Sequence, residues 1–553
     1  MLKSLKMKSL VNLFFIGSIL VFLILLARNP YSQRTLIPNL EPYPDTINYI
    51  VPVRSLISGG LFKITREGRV NNPSVPPLYS LFLAPFYLVN NDPRTFYFAN
   101  TALAMLSAWL LFLILKITIK DKWIVGISLF LYVTNYYMYW YPQWAMAENL
   151  ILPIFLFGVY LLIKPIGKTN ILFASLIPLL AYSTKYAYLP FAVIFFVLYF
   201  TKIISEMKKD RVKTILPFIF ISAILLSLAL FYQFYTQGFN PLVRYFNILV
   251  GTFSFGGVTA VKVSGNAVGS SGWFSEVFFR KNLPLYIRGL LGEQARFLWD
   301  YTAILPKYLI IPAWAGILMG FFKKGIRFFS LSLFALLIFP LVWISTFGTQ
   351  DMRYIYHAIP TLILGFSLFL FCVKDVLGKQ KLYAVFVLVI FLIGGFYLFK
   401  NIQRLRYQTV LNLRYAETPW YYISVLRLND YFTRDKIIEG KIPYVISPMP
   451  PYYIDFYSNG NYKLLPLDKD QEFRLGKAAA WGPENYSDFH GIYRKYLLAG
   501  YPVYVSTYGL GNEFYLHQAF DNLSKDFKLT EVQNECYTQC KIYKLELKNA
   551  KSF

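Results

Sequence analysis

The sequence predicts a polytopic α-helical membrane protein with a soluble α/β domain at its C-terminal end, and three observations predict it. Hydrophobic residues make up 56% and charged residues 15% of the 553 positions, more apolar surface than a soluble domain of that size needs. Apolar runs of membrane-crossing length recur along the chain, separated by short loops rich in Lys and Arg. From about Asn401 the composition changes to that of a water-soluble segment, roughly 150 residues long and within the usual domain range. The formal net charge of +26 falls largely in those short loops, a pattern that places them on the cytoplasmic side and excludes nucleic acid as the implied partner. The 45 Tyr and 51 Phe fit broad interfacial belts against membrane lipids.

The elements follow in order. Lys3, Lys6 and Lys8 precede an apolar run from Leu10 to Ala27, closed by Arg28, Asn29 and Pro30. With no small-residue cleavage site, this reads as a first span rather than a signal peptide. A first outer loop covers 28–95. Within it, Thr46 to Leu61 has helical apolar spacing and exits at Ser58, Gly59 and Gly60, while Leu78 to Val89 is short enough to be re-entrant. Spans are then expected over 96–115, 123–141, 150–163, and two short helices within 171–200 broken at Ser183, Thr184 and Lys185. Further spans are expected over 215–235, 304–322, 328–347, 358–373 and 382–399. That makes about eleven, with the N-terminus inside and the C-terminus outside. The long segment from Thr236 to about Tyr301 has a Gly- and Ser-rich middle of linker composition.

Two units are therefore expected, a transmembrane domain over 1–400 and an extracytoplasmic α/β domain over 401–553. In the second, a helix is expected around Tyr421 to Phe432 and another over Glu513 to Phe527. Strands are expected after Pro443, after Gly500 and at CKIYKLEL. Cys536 and Cys540 lie close enough in sequence to pair in an oxidising space, or to remain two free thiols.

With this topology Asp45, Glu148, Lys185 and Arg353 fall at one membrane face. Ionisable groups at span ends line a wet cavity or pair with one another. Asp45, behind Pro44 and ahead of the short helix, is either a general base for an acceptor hydroxyl or a helix cap. Glu148 is either a second site acid or one half of an ion pair. Lys185 and Arg353 are suited to a phosphate, Lys as a point charge and Arg bidentately, or else reach for lipid headgroups. Tyr49 and Tyr354, with Tyr43 and Tyr79, are either sugar-stacking groups or lipid contacts of the interfacial belt. His357, one turn beyond Arg353, is a substrate contact or a hydrogen-bonded packing residue. No His or Cys cluster has metal-ligand spacing; Asp45, Glu148 and Asp351 could hold a divalent cation through oxygens, although nothing in their spacing requires one.

Five stretches, PDTINYI, PPLYSLFLAPFYLV, AMAENL, STKY and MRYIYHAIP, together resemble the GT-C superfamily of integral-membrane glycosyltransferases. The nearest branch is that of the protein O-mannosyltransferases and the lipid A aminoarabinose transferase. The resemblance spans most of the membrane region and rests on motif order and topology. It implies a polyprenyl- or dolichyl-phosphate-linked sugar donor and transfer to a glycan, lipid or protein acceptor on the outer face. It also implies that Asp45 matches the family's first-loop catalytic acid, Glu148 the acid after the third span, Lys185 the basic break position and Arg353 the late-loop arginine. Many members carry an Asp-Glu pair in the first loop, whereas Asp45 is followed here by Thr46. A transporter or flippase would place its charges near the bilayer midplane, often in two repeated halves. An envelope polysaccharide polymerase or ligase would carry its main loop late in the chain.

Overall fold

The computed structural model describes residues 45–57, 59, 64–66, 69–71, 75–91, 95–143, 145–207, 211–237, 280, 282–293, 304–345, 352–377, 380–417, 427–448, 458, 460–467, 489–508, 510, 514–534 and 541–548, with a few positions between 17 and 23. The chain divides into two units. One takes in 75–263 and 267–409 with the first 33 residues; the other takes in 34–74, 264–266 and 410–553.

The described elements of the first unit are all helices. Five helices, within 95–118, 186–206, 212–236, 327–344 and 358–376, are long and apolar enough to cross a membrane among the described residues. Four shorter apolar helices cover 78–89, 122–133, 148–163 and 307–322. The remaining spans expected from the sequence fall on Lys168–Thr184, on Gln380–Glu417, or outside the described residues. The expected break at Lys185 is present: Lys168–Thr184 ends there, a single 3-10 turn covers Tyr186–Tyr188, and Leu189–Glu206 follows.

The third expected span differs from its reading. Instead of running to Tyr141, the helix stops at Val133, and a short helix, Tyr136–Trp140, begins after Asn135. Asn135 causes the restart, its side-chain oxygen accepting from the Tyr137 amide at 2.9 Å as a cap. The chain then turns through Tyr141–Gln143 into Glu148–Ile163. Asn100 fixes this turn by accepting from the buried Tyr79 hydroxyl at 2.7 Å and donating to the Pro142 carbonyl at 3.1 Å.

Packing in this unit uses small residues, as expected where the surrounding lipid removes any hydrophobic drive between helices. Lys307–Phe322 and Ala358–Leu377 cross through two glycines. A Cβ on Gly316 would lie 2.1 Å from the Gly365 carbonyl oxygen, and one on Gly365 would lie 2.6 Å from that of Ala313. Gly158 similarly admits the Phe195 ring, which a Cβ would meet at 2.6 Å. At the far end of Glu148–Ile163, the buried Lys202 ammonium donates to the carbonyls of Leu162 at 2.8 Å and of Lys164, satisfying acceptors that a helix end leaves open.

The second unit holds the helix Asp45–Ile57, followed by Gly59 at φ +78, a helix exit of the kind the glycines imply. A two-stranded antiparallel hairpin of β1 (Ile64–Arg66) and β2 (Arg69–Asn71) comes next. The C-terminal region forms a five-stranded sheet from β3 (Tyr444–Ser447), β4 (Lys463–Pro466), β5 (Val503–Ser506), β6 (Phe527–Asn534) and β7 (Lys541–Leu547), in the order β4-β3-β5-β7-β6. The first three strands pair in parallel and the last two pairings are antiparallel. Helices Phe489–Leu498 and Phe514–Asp526 supply Tyr493, Leu516 and Leu523 to a core shared with Ile446, Val503, Val505 and Leu545.

Candidate active site

Glu148 opens the helix Glu148–Ile163, and Lys185 stands at the C-terminal break of Lys168–Thr184. Although 37 residues apart in sequence, they form an ion pair, with Lys185 Nζ donating to Glu148 Oε1 at 2.8 Å. The carboxylate is buried, at 1% exposure, while the lysine keeps 16%. Glu148 Oε2 is also buried and meets no hydrogen-bond donor among the described residues. Such an orphaned oxygen is costly inside a protein, and native sites that tolerate one commonly meet a ligand or water there.

Arg353 and Tyr354 lie on the 3-10 turn Met352–Ile355, just before the helix Ala358–Leu377. Tyr354 is the common neighbour of the two cations. Lys185 Nζ lies 5.3 Å and Arg353 Cζ 5.1 Å from the centre of its ring. Arg353 also donates to the Tyr354 hydroxyl at 3.4 Å and approaches the Met146 sulfur at 3.9 Å. Met146 belongs to the segment that leads into Glu148 and accepts there from the Asn149 amide at 3.1 Å. Two sequence-predicted cations, Lys185 and Arg353, thus share the ring of Tyr354, and Glu148 is joined to them through Lys185.

His357 follows within one turn but is turned into packing. Its ring centre lies 4.5 Å from that of Phe191 and 5.3 Å from that of Phe155, and it is hydrogen-bonded to the backbone of Leu336. Asp45 is the first residue of its helix, and Tyr49, one turn on, is buried. Both belong to the second unit, whereas Glu148, Lys185, Arg353 and Tyr354 belong to the first. Among the described residues no group of three or more His, Cys, Asp or Glu could hold a metal ion. Asp351, the third oxygen donor considered for a divalent cation, lies outside the described residues, as do Tyr43, Cys536 and Cys540.

An aromatic strip missed in the sequence backs the turn. Tyr356 is buried and donates its amide to the Arg353 carbonyl at 3.2 Å. Its ring sits 4.7 Å from that of Tyr141, which stacks on Tyr137 at 5.8 Å. The run YYMYWY falls in the third expected span, and nothing in its spacing marked it as a support for Arg353.

No protein-family model and no curated protein matches the chain. Among solved structures it is similar to ArnT from Cupriavidus metallidurans in the apo state, at 13% identity and a TM-score of 0.57 over 98% of each chain. It is also similar to the same ArnT bound to undecaprenyl phosphate, at 13% identity and a TM-score of 0.58 over 98% of this chain and 99% of that one. A third likeness is to the apo oligosaccharyltransferase of Archaeoglobus fulgidus, at 10% identity and a TM-score of 0.50 over 98% of this chain and 75% of that one. At such identities the likeness is one of fold alone, shared with these three solved structures.

Proposed function

We propose that the chain is a membrane glycosyltransferase that moves a sugar from a polyprenyl- or dolichyl-phosphate-linked donor to an acceptor hydroxyl at the outer face. The observation that carries this reading is the pair of cations, Lys185 and Arg353, held on one tyrosine ring, with the Glu148 carboxylate paired to Lys185. Fixed cations in a poorly solvated place favour an anion whose charge grows as a bond breaks. A lipid-linked sugar phosphate is such an anion, and a fold neighbour is described as bound to undecaprenyl phosphate.

In the proposed reaction the acceptor oxygen attacks the anomeric carbon opposite the lipid phosphate. The carbon–oxygen bond to the phosphate breaks, and its electron pair stays on the departing phosphate, which Arg353 and Lys185 neutralise. The proton lost by the acceptor hydroxyl goes to the Asp45 carboxylate. The product has inverted configuration. Glu148 Oε1 orients the Lys185 ammonium, and its second oxygen, lacking a donor among the described residues, offers an acceptor to a sugar hydroxyl.

Asp45→Asn tests the base. Asparagine caps a helix as well as aspartate does, so a structural role survives the change while proton acceptance is lost. The expected result is a folded, membrane-inserted protein whose transfer rate falls by roughly a hundred- to ten-thousand-fold. A near-normal rate would reduce Asp45 to a helix-end residue and remove the mechanism.

A further inference from the structure

Arg404 lies outside the gathered site, on the helix Gln380–Glu417, yet its guanidinium carbon stands 3.8 Å from the ring centre of Tyr136 and 4.9 Å from that of Tyr137. It also donates to the Tyr137 hydroxyl at 3.2 Å. Two helical turns earlier on the same face, Tyr397 meets the Asn135 amide at 2.7 Å. The helix is therefore fastened twice to the short segment that restarts after Val133. From that segment the aromatic contacts continue without a gap: Tyr137 stacks on Tyr141, Tyr141 meets Tyr356 edge-on, and Tyr356 donates its amide to the Arg353 carbonyl.

We propose that Arg404 is a positioning residue for the Arg353–Tyr354 turn, acting through the rings of Tyr137, Tyr141 and Tyr356. The inference rests on the reading of Arg353 as a donor-phosphate ligand. A 3-10 turn of four residues has little internal rigidity, so what is packed behind it sets where its arginine points. A guanidinium stacked on a tyrosine face is a strong and directional fastening when partly shielded from water. Site residues need this kind of support, because small displacements of a ligand-binding group cost affinity steeply.

The test uses the full-length protein with undecaprenyl phosphate as the probe, its affinity read from the rise in unfolding temperature on titration. R404Q should weaken binding about tenfold, within the range seen for coupled neighbours, and should cost nothing further in an R353Q background. Tyr141→Leu, which cuts the strip midway, should repeat the loss, and Tyr141→Phe, which keeps the ring, should not. Full-strength binding by R404Q, or losses that simply add in the R404Q/R353Q double variant, would overturn the inference. If R404Q does not fold, Tyr141→Leu and Tyr141→Phe decide, and equal binding by those two overturns it. An R353Q protein that binds the probe at full strength would instead take down the phosphate reading of Arg353, and the relay with it.

Discussion

At the scale of single residues, the buried pair of Glu148 and Lys185 carries the largest expected cost. Removing one partner of a buried pair strands the other in a poorly solvated place, typically at about 3–5 kcal/mol. Lys185→Met should therefore lower the unfolding temperature strongly, because Glu148, at 1% exposure, would be left without its cation. Adding Glu148→Gln to that variant should recover much of the loss. Thermal unfolding of the unaltered protein and the two variants in detergent checks this, and equal stability of the single and double variants would show the pair to be weakly coupled. The sequence made both residues legible as charges at span ends, but their pairing depended on two helices meeting across 37 positions. Arg404 was not legible: an arginine five residues past an aromatic span end reads as an interfacial cation, and only packing brings Tyr136 and Tyr137 beneath it.

At the scale of elements, the helix crossing at Gly316 and Gly365 is closed to any side chain. A Cβ on Gly316 would meet the Gly365 oxygen at 2.1 Å and the Phe369 amide nitrogen at 2.4 Å, both backbone atoms that move only with their helix. Gly316→Leu is expected to destabilise the protein by more than the ordinary overpacking cost of about 1–3 kcal/mol. Gly395→Ala, at an exposed helix position with nothing within 4 Å of the added carbon, should raise stability slightly, as alanine is the better helix former by about 1 kcal/mol. A fall in unfolding temperature for both would contradict this account of the crossing. Apolar run length made most helices readable, but Asn135 hides its role as a cap inside a run that looks like one span. The strand β6 was missed for a similar reason. Its pairing with β7 shifts register between Glu531 and Gln533, so the alternation begun by Phe527 and Leu529 changes phase. That hairpin also carries a pH dependence. The Lys541 ammonium holds the Glu531 carboxyl below its ordinary range, and Lys544 and then Lys528 do the same for Glu546. Depressed carboxyl values mean stabilisation that is complete above the ordinary glutamate value and is lost as the pH falls through the folded values. Amide protection in β6 and β7, corrected for intrinsic exchange, should be level near about pH 7 and decline below about pH 4. A protection pattern unchanged through acid would show that these surface pairs contribute nothing to the hairpin.

At the scale of the whole molecule, the fold was legible because membrane-crossing length and loop charge are coarse signals that survive low sequence identity, here 13% to ArnT. Where charges lie among the helix ends also gives a sense of direction. Lys323 pairs with Asp375, and Lys374 with Asp121; Asp375 and Lys374 lie at the far end of the helix that follows the Arg353 turn, and Asp121 caps the helix that leads toward Glu148. Orientation follows the count of Lys and Arg in short loops rather than their net charge, so these pairings leave the bias intact. The short loops holding Lys116, Lys120 and Lys122, Lys164 and Lys168, and Lys323, Lys324 and Arg327 are accordingly expected in the cytoplasm, with the first loop and the C-terminal sheet on the other side. Single cysteines, placed after Cys372, Cys536 and Cys540 are changed to serine, test this at exposed positions. Asn91→Cys and Lys525→Cys should react with a membrane-impermeant maleimide in intact cells, and Gly325→Cys only after the membrane is opened. Protection of Asn91→Cys together with labelling of Lys525→Cys would separate the first loop from the sheet and deprive Asp45 of an outer-face substrate. Labelling of Gly325→Cys in intact cells would invert the whole arrangement, and the charge bias would then have failed as a guide to this chain.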